Sequence, residues 1–205
     1  MKKINVGILI FDEVEVLDFA GPFEVFSRTR TIKGAESRRS EDSAPFMTFT
    51  VASNSDIIVA TGGLKVIPDY SFNNCPKIDI LVVPGGYGTR TLLNNEDVLK
   101  WIRSRAADSS KITSVCTGSL LLAKAGLLEG KRATTHWGAL KALESISKNI
   151  QVINDRRIID DDVITSAGVS SGIDMAFMLV ENLFGEIVAK DTSKYIEFHR
   201  TKVNV

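Results

Sequence analysis

Between Lys111 and Leu128 the chain passes from a strand into a helix with almost nothing between them. Ile112, Thr113 and Val115 are a short β-branched run that reads as the end of a buried strand. Leu120 to Leu128 is an apolar helical stretch, and only Cys116-Thr117-Gly118-Ser119 separates it from the strand. Strand, sharp turn and helix, with one nucleophilic side chain at the corner, is the arrangement of a nucleophile elbow. Gly118 and Ser119 are small enough for the backbone to turn tightly and for the helix to pack close to the strand. The corner sets the Cys116 thiol at a helix N-terminus, where unpaired N–H groups and the helix dipole are expected to favour a thiolate. The alternative is a buried, inert cysteine, since free Cys is among the most buried residue types.

The rest of the chain repeats this alternation. Residues 4–11 are apolar almost throughout, as in a strand whose two faces are both covered. Pro22 suits a first helical position, which predicts a helix beginning there and leaves Asp18 in the connection before it. Residues 28–45 are polar and charged and read as a solvated loop. Phe46 to Ala52 alternates as a strand, and Ile57–Ala60 with Leu64–Ile67 reads as a hairpin around Thr61-Gly62-Gly63. Residues 78–83 form a buried strand ending in Pro84-Gly85-Gly86, and 94–107 an amphipathic helix. Gly126 and Gly130 close the elbow helix. Short strands are expected at 132–135, 152–153, 157–159 and 163–165, with a short helix over 138–145. An apolar helix over 173–184 follows the turn Ser166-Ala167-Gly168, and a last helix runs to about His199. Strands alternating with helices predict an α/β fold, a mostly parallel sheet flanked by helices on both faces. Without repeats, low-complexity segments or a linker, residues 1–205 are expected to form one domain.

Lysines plus arginines and aspartates plus glutamates both number 25, so the formal charge is zero. That balance argues against a nucleic-acid or acidic-membrane partner, either of which asks for a basic excess. No apolar run approaches the roughly 18 residues of a membrane span. The N-terminal apolar run is short and is followed by Asp12, Glu13 and Glu15 where a cleavage site would belong, so a first core strand is the better reading than a signal peptide. Two cysteines in a chain of this length make no disulfide framework and suit a reducing cytoplasm. With only two histidines and no paired Cys/His spacing, no metal site is expected.

In a parallel sheet of this kind the ligand crevice lies beyond the carboxyl ends of the strands. Three such ends carry suggestive residues: Asp18 after the first strand, Gly85-Gly86 after Val83, and Cys116 at the elbow. The Asp18 carboxylate is placed to exchange a proton with the thiol and with substrate. The backbone N–H groups of Gly86 and Thr117 are candidates for an anion hole. Taken singly, Asp18 also reads as a turn residue and Pro-Gly-Gly as a strand-ending turn. Cys75 has nothing near it in sequence that would make it reactive.

Leu17-Asp18-Phe-Ala-Gly21-Pro22, Val83-Pro84-Gly85-Gly86, Ser114-Val115-Cys116-Thr117-Gly118 and Ala133-Thr134-Thr135-His136-Trp137 together resemble the ThiJ/PfpI superfamily. Within it the pattern is most similar to the isonitrile hydratase branch and to the amidotransferase-like domain of AraC-type regulators. The resemblance spans nearly the whole chain, including Ala125-Gly126-Leu127-Leu128 and Ser171-Gly172-Ile173-Asp174. It implies a flavodoxin-like sandwich, a strained Cys116 elbow, an acidic partner at Asp18 and a homodimer. Protease-like and glyoxalase- or deglycase-like members usually carry Glu in the first-strand region, and many have His directly after the cysteine. Asp18 and Thr117 instead follow the isonitrile hydratase pattern, which makes Cys116, Asp18 and Thr117 the implied catalytic set. The regulators continue into a helix-turn-helix region, and this chain stops at Val205, so no DNA-binding half is expected.

His136 has two readings: an accessory general base for Cys116, or a structural residue packed with Trp137. The second is preferred, and His199 is expected at the surface. The implied activity is hydration of an isonitrile to an N-substituted formamide through a covalent cysteine adduct, with no metal or organic cofactor. The alternatives are a non-catalytic ligand- or oxidation-sensing domain, and aldehyde chemistry of the glyoxalase type.

Overall fold

A computed structural model describes residues 2–200. In chain order the elements are β1 (Ile4–Leu9), α1 (Val16–Arg28), β2 (Phe46–Ala52), β3 (Ile58–Val59), β4 (Lys65–Val66), β5 (Tyr70–Ser71), β6 (Ile80–Val83), α2 (Thr89–Leu92), α3 (Glu96–Asp108) and β7 (Lys111–Val115). They continue with α4 (Gly118–Lys124), β8 (Arg132–Ala133), α5 (Leu140–Ile146), β9 (Gln151–Val152), β10 (Ile158–Ile159), β11 (Val163–Ser166), α6 (Ser171–Phe184) and α7 (Glu186–Tyr195). The main sheet has seven strands in the order β10-β11-β7-β6-β1-β2-β5. All neighbours in it are parallel except β10 and β11.

Leaving out the edge strands β5 and β10, the order β2-β1-β6-β7-β11 is the 2-1-3-4-5 winding of a flavodoxin-like sheet. Such a sheet reverses direction between its first and third strands, here β1 and β6, and the crevice opens beyond their carboxyl ends. Val6, Ile8, Leu81, Val82, Val83 and Val115 are fully buried, because the sheet is covered on both faces. Helices α1, α6 and α7 pack on one another on one side, and α2 to α5 on the other. The expected hairpin is present as the antiparallel pair β3–β4.

Four expectations need correction. Helix α1 starts at Val16, so Asp18 stands in its first turn and Pro22 lies inside it. The buried stripe Phe19, Pro22, Val25, Phe26 explains this, for its helical spacing reaches back a full turn before the proline. The buried contact of Pro22 with Gly172 of α6 offsets part of the cost of an interior proline. Residues 28–45 are not simply solvated: Arg30 is 1 % exposed, and Arg38 is buried within a short 3₁₀ turn, Ala35–Arg39. The Arg30 guanidinium donates to the carbonyls of Ser27, Thr29 and Ser40 and to Glu41, so one side chain serves as the core of the loop. Arg38 pairs with Asp191 and ties the loop to α7. The elbow helix spans Gly118–Lys124 rather than reaching Leu128. Bonds from Gly126 N–H to Ala123 O and from Leu127 N–H to Leu122 O form a Schellman closure after it. Helix α7 ends at Tyr195, short of His199, where Glu197 turns to a φ of 53°.

Candidate active site

The carboxyl ends of β1, β6, β7 and β11 converge on Cys116. Its φ of 56° is rare for a residue with a side chain, and the surroundings hold it there from both sides. The Cys116 N–H donates to Ala167 O at 2.8 Å and to Ser166 O at 3.1 Å. Its carbonyl accepts from the hydroxyls of Thr135 at 2.9 Å and Ser119 at 3.1 Å. Gly118 is required at this corner, since a Cβ there would lie 2.0 Å from the carbonyl oxygen of Val83.

Asp18 is completely buried, delivered by the first turn of α1. Its Oδ2 accepts the Gly85 N–H at 2.8 Å, while Oδ1 has no hydrogen-bond partner. Gly85 leaves room for this close approach, for a Cβ would sit 2.5 Å from both the nitrogen and Oγ1 of Thr117. Burial pushes the Asp18 carboxyl up to about 7; the Gly85 N–H opposes that rise and the charge of Glu15 adds to it. The Cys116 thiol exerts a weaker opposing pull, although no bond of ordinary geometry joins it to Oδ1.

Cys116 is 6 % exposed, and its thiol is pushed up to about 12 by burial first and the Asp18 charge second. Backbone N–H groups of Thr117 and Val169 and the Thr117 hydroxyl act in the opposite direction. The expected resting thiolate is therefore corrected. Desolvation beside a carboxylate outweighs the amides of a helix only seven residues long. Burial thus keeps the thiol protonated and lifts the carboxyl well above the usual carboxylate range, so each member of the pair is pushed toward its uncharged form.

The Gly86 N–H already donates to Thr117 Oγ1 at 3.0 Å, and the Thr89 hydroxyl donates to Gly86 O at 2.7 Å. Of the two expected donors, only the Thr117 N–H is directed at the Cys116 sulfur. The Gly86 N–H is thus bound to the Thr117 side chain.

His136 does not reach the thiol through any hydrogen bond among the described residues. Its Nδ1 accepts the Gly138 N–H at 3.1 Å, its ring meets Trp137 at 5.2 Å, and it lies over Gly168. His199 is exposed. Cys75 is half-buried, its thiol raised by burial.

Two contributors escaped the sequence reading. Val169 brings an N–H to the sulfur from a φ of 46°, a conformation that a β-branched residue rarely adopts and that no single-sequence signal announces. Thr135 carries a signal in hindsight: Thr-Thr between a short strand and a histidine, where a hydroxyl can reach a neighbouring turn. Among the described residues no three His, Cys, Asp or Glu side chains gather to hold a metal, and no helix is long and apolar enough to cross a membrane.

A 2-1-3-4-5 α/β sheet with a strained cysteine corner and a buried carboxyl beside it defines a cysteine-elbow protein of the flavodoxin-like class. Residues 4–182 match the DJ-1/PfpI family, and the chain belongs to that family. It is 34% identical over 195 residues to an isonitrile hydratase of Pseudomonas putida, covering 95% of this chain and 78% of that one. It is 26% identical over 198 residues to the HTH-type transcriptional regulator GbdR of Pseudomonas aeruginosa, covering 97% of this chain and 52%, about half, of the regulator. Among solved structures, a ThiJ/PfpI family protein from Pseudomonas syringae superposes with a TM-score of 0.84 at 29% identity, over 98% of this chain and 77% of the other. Drosophila melanogaster DJ-1beta shares the fold, with a TM-score of 0.80 at 20% identity over 97% of this chain and 100% of that one.

Proposed function

We propose that this chain hydrates an isonitrile, R–N≡C, to the N-substituted formamide, with Cys116 as nucleophile and Asp18 as proton carrier. The observation behind this reading is the buried pair itself: a thiol beside a carboxyl that burial pushes up to about 7, with no histidine among the described residues hydrogen-bonded to the sulfur. The similarity to an isonitrile hydratase over most of the chain supports it.

The Asp18 carboxylate accepts the thiol proton as the sulfur attacks the terminal carbon. That carbon takes the proton from the Asp18 carboxyl, giving the thioimidate R–N=CH–S–Cys116. Water then adds: its oxygen bonds to the carbon, and Asp18 moves one of its protons to nitrogen, giving R–NH–CH(OH)–S–Cys116. Collapse forms the formyl C=O, breaks the C–S bond and returns the hydroxyl proton to the sulfur by way of Asp18. The sum consumes one isonitrile and one water and calls for no cofactor. The N–H groups of Thr117 and Val169 stabilise the sulfur as it gains negative charge.

A homodimer belongs to the same reading. Ile57, Leu64 and Ile67 leave an exposed apolar surface on and beside the β3–β4 hairpin that a second copy would cover. Neither nucleic acid nor a membrane enters the proposal.

The second reading is a ligand- or oxidation-sensing domain without turnover, favoured by the similarity to a transcriptional regulator over 97% of this chain. Incubation with cyclohexyl isocyanide, following formamide by chromatography, separates the two. Formamide from the wild type and none from Cys116→Ala supports the hydratase. Substrate left unchanged by the wild type favours the sensor.

A further inference from the structure

A cavity of about 320 Å³ opens at the turn that follows β11, and the proposed chemistry leaves it unused. Thr135, His136, Trp137, Arg156, Arg157 and Val169 contribute to its wall. Two of its wall residues also contact Cys116: Val169 offers its N–H to the sulfur, and Thr135 donates its hydroxyl to the Cys116 carbonyl.

The charge of this wall is one-sided. In a chain with equal numbers of acidic and basic side chains, the cavity is lined by two arginines and by no carboxylate. Acids stand behind the arginines instead. Asp174, 4 % exposed, accepts from Arg157 Nε at 2.6 Å, and the Ser170 hydroxyl accepts from its Nη2 at 2.9 Å. Asp155 approaches Arg156 only at 4.0 Å and at the surface. Arg157 is thus clamped from one side while its side chain stays 40 % exposed, a guanidinium fixed in direction with donors to spare. Trp137, 80 % exposed, supplies an indole at the same wall.

Sheet register sets the distance. Cys116 N–H donates to Ala167 O, and Ala167 N–H donates to Arg157 O, so the three residues stand in one row across β7, β11 and β10. Two strand spacings separate the backbones of Cys116 and Arg157 by about 10 Å, a gap that an arginine side chain and a small substrate together span. Asp18 reaches the sulfur from the β1 and β6 side, so a substrate anion held at Arg157 lies across the thiol from the carboxylate that would repel it.

We infer that this cavity binds a carboxylate on the substrate, and that the preferred substrates are small isocyano carboxylates anchored on Arg157 and Arg156. The inference rests on the hydratase reading and narrows it to an anionic substrate class. Charge-assisted bonds to a fixed guanidinium are worth enough for a preference of about tenfold or more over a neutral analogue.

The test is the ratio of kcat/KM for isocyanoacetate to that for ethyl isocyanoacetate, which carry the same isocyano group with and without the negative charge. The wild type is expected to favour the acid by about tenfold or more, mainly through KM. Arg157→Gln should erase most of that ratio, Arg157→Lys restore part of it, and Arg156→Gln reduce it. A general loss of activity or stability in a variant moves both substrates and leaves the ratio in place. A wild-type ratio near one, or a preference that survives both glutamine variants, overturns the inference while hydration of the ester keeps the hydratase reading. Failure of the wild type to hydrate either compound removes both.

Discussion

The Gly85 N–H holds one oxygen of the Asp18 carboxyl at 2.8 Å and leaves the other without a partner, in a fully buried site beside the Cys116 thiol. One oxygen is thereby fixed in place and the other stays free to gain and lose a proton. Such a group costs stability, because a buried carboxylate with a single donor is poorly compensated for lost water.

That cost has a definite pH dependence. Asp18 titrates near its ordinary 3.8 in the unfolded chain and at about 7 in the folded one. Below 3.8 it is protonated in both states and costs nothing; between 3.8 and 7 only the unfolded chain ionises, so folding loses stability as pH rises; above 7 the full cost remains. The melting temperature of Asp18→Asn minus that of the wild type is therefore expected to grow from pH 4.5 to pH 8. A difference that is flat or shrinks over this range would mean the carboxyl is not raised.

Removing the same charge should act on its neighbour. Asp18 is the second cause of the raised Cys116 thiol, so Asp18→Asn is expected to lower it and speed alkylation by iodoacetamide at pH 8. Peptide mapping separates Cys116 from Cys75, whose labelling rate serves as the internal reference. Slower labelling of Cys116 in the variant would contradict the coupling.

The elbow tolerates no added methyl group. A Cβ at Gly118 would meet the Val83 and Pro84 carbonyl oxygens at 2.0 and 2.8 Å, both backbone atoms in the strand end. Gly118→Ala is expected to lose about 2–3 kcal/mol in urea unfolding, the scale of overpacking in a rigid core. A loss below about 0.5 kcal/mol, the scale of a neutral surface change, would show that the corner relaxes freely.

Arg30 should matter as much as a core residue. Arg30→Met leaves the carbonyls of Ser27, Thr29 and Ser40 without this donor, and a cost of roughly 3 kcal/mol is expected. Hydrogen exchange should rise over residues 28–45 before it rises in the sheet. Unchanged exchange there would overturn the role given to this side chain.

The parallel sheet was legible because its strands are covered on both faces and appear as unbroken apolar runs, Ile80 to Val83 above all. Cys116 and Asp18 were legible for a topological reason: strand ends near the β1/β6 reversal are where side chains converge. Pro22 misled, since a proline usually marks a helix start and only tertiary packing on α6 keeps it inside one. Arg30 and Arg38 misled because charge normally signals solvent, and the carbonyls that satisfy a buried guanidinium have no sequence signature. The thiol expectation failed on burial, which a local motif does not report.

If Cys116 and Asp18 work as one proton-sharing pair, the pair must show in the pH dependence of formamide production. The productive state holds one proton on the pair, so kcat/KM for an isonitrile is expected to rise with pH, level off above about 7, and stay level toward alkaline pH. Asp18→Asn should abolish that limb and lower turnover by about a hundredfold or more. A wild-type rate that is flat from pH 5 to 9, or an Asp18→Asn variant that keeps near-normal turnover per folded molecule, would mean that the two residues do not share a catalytic proton.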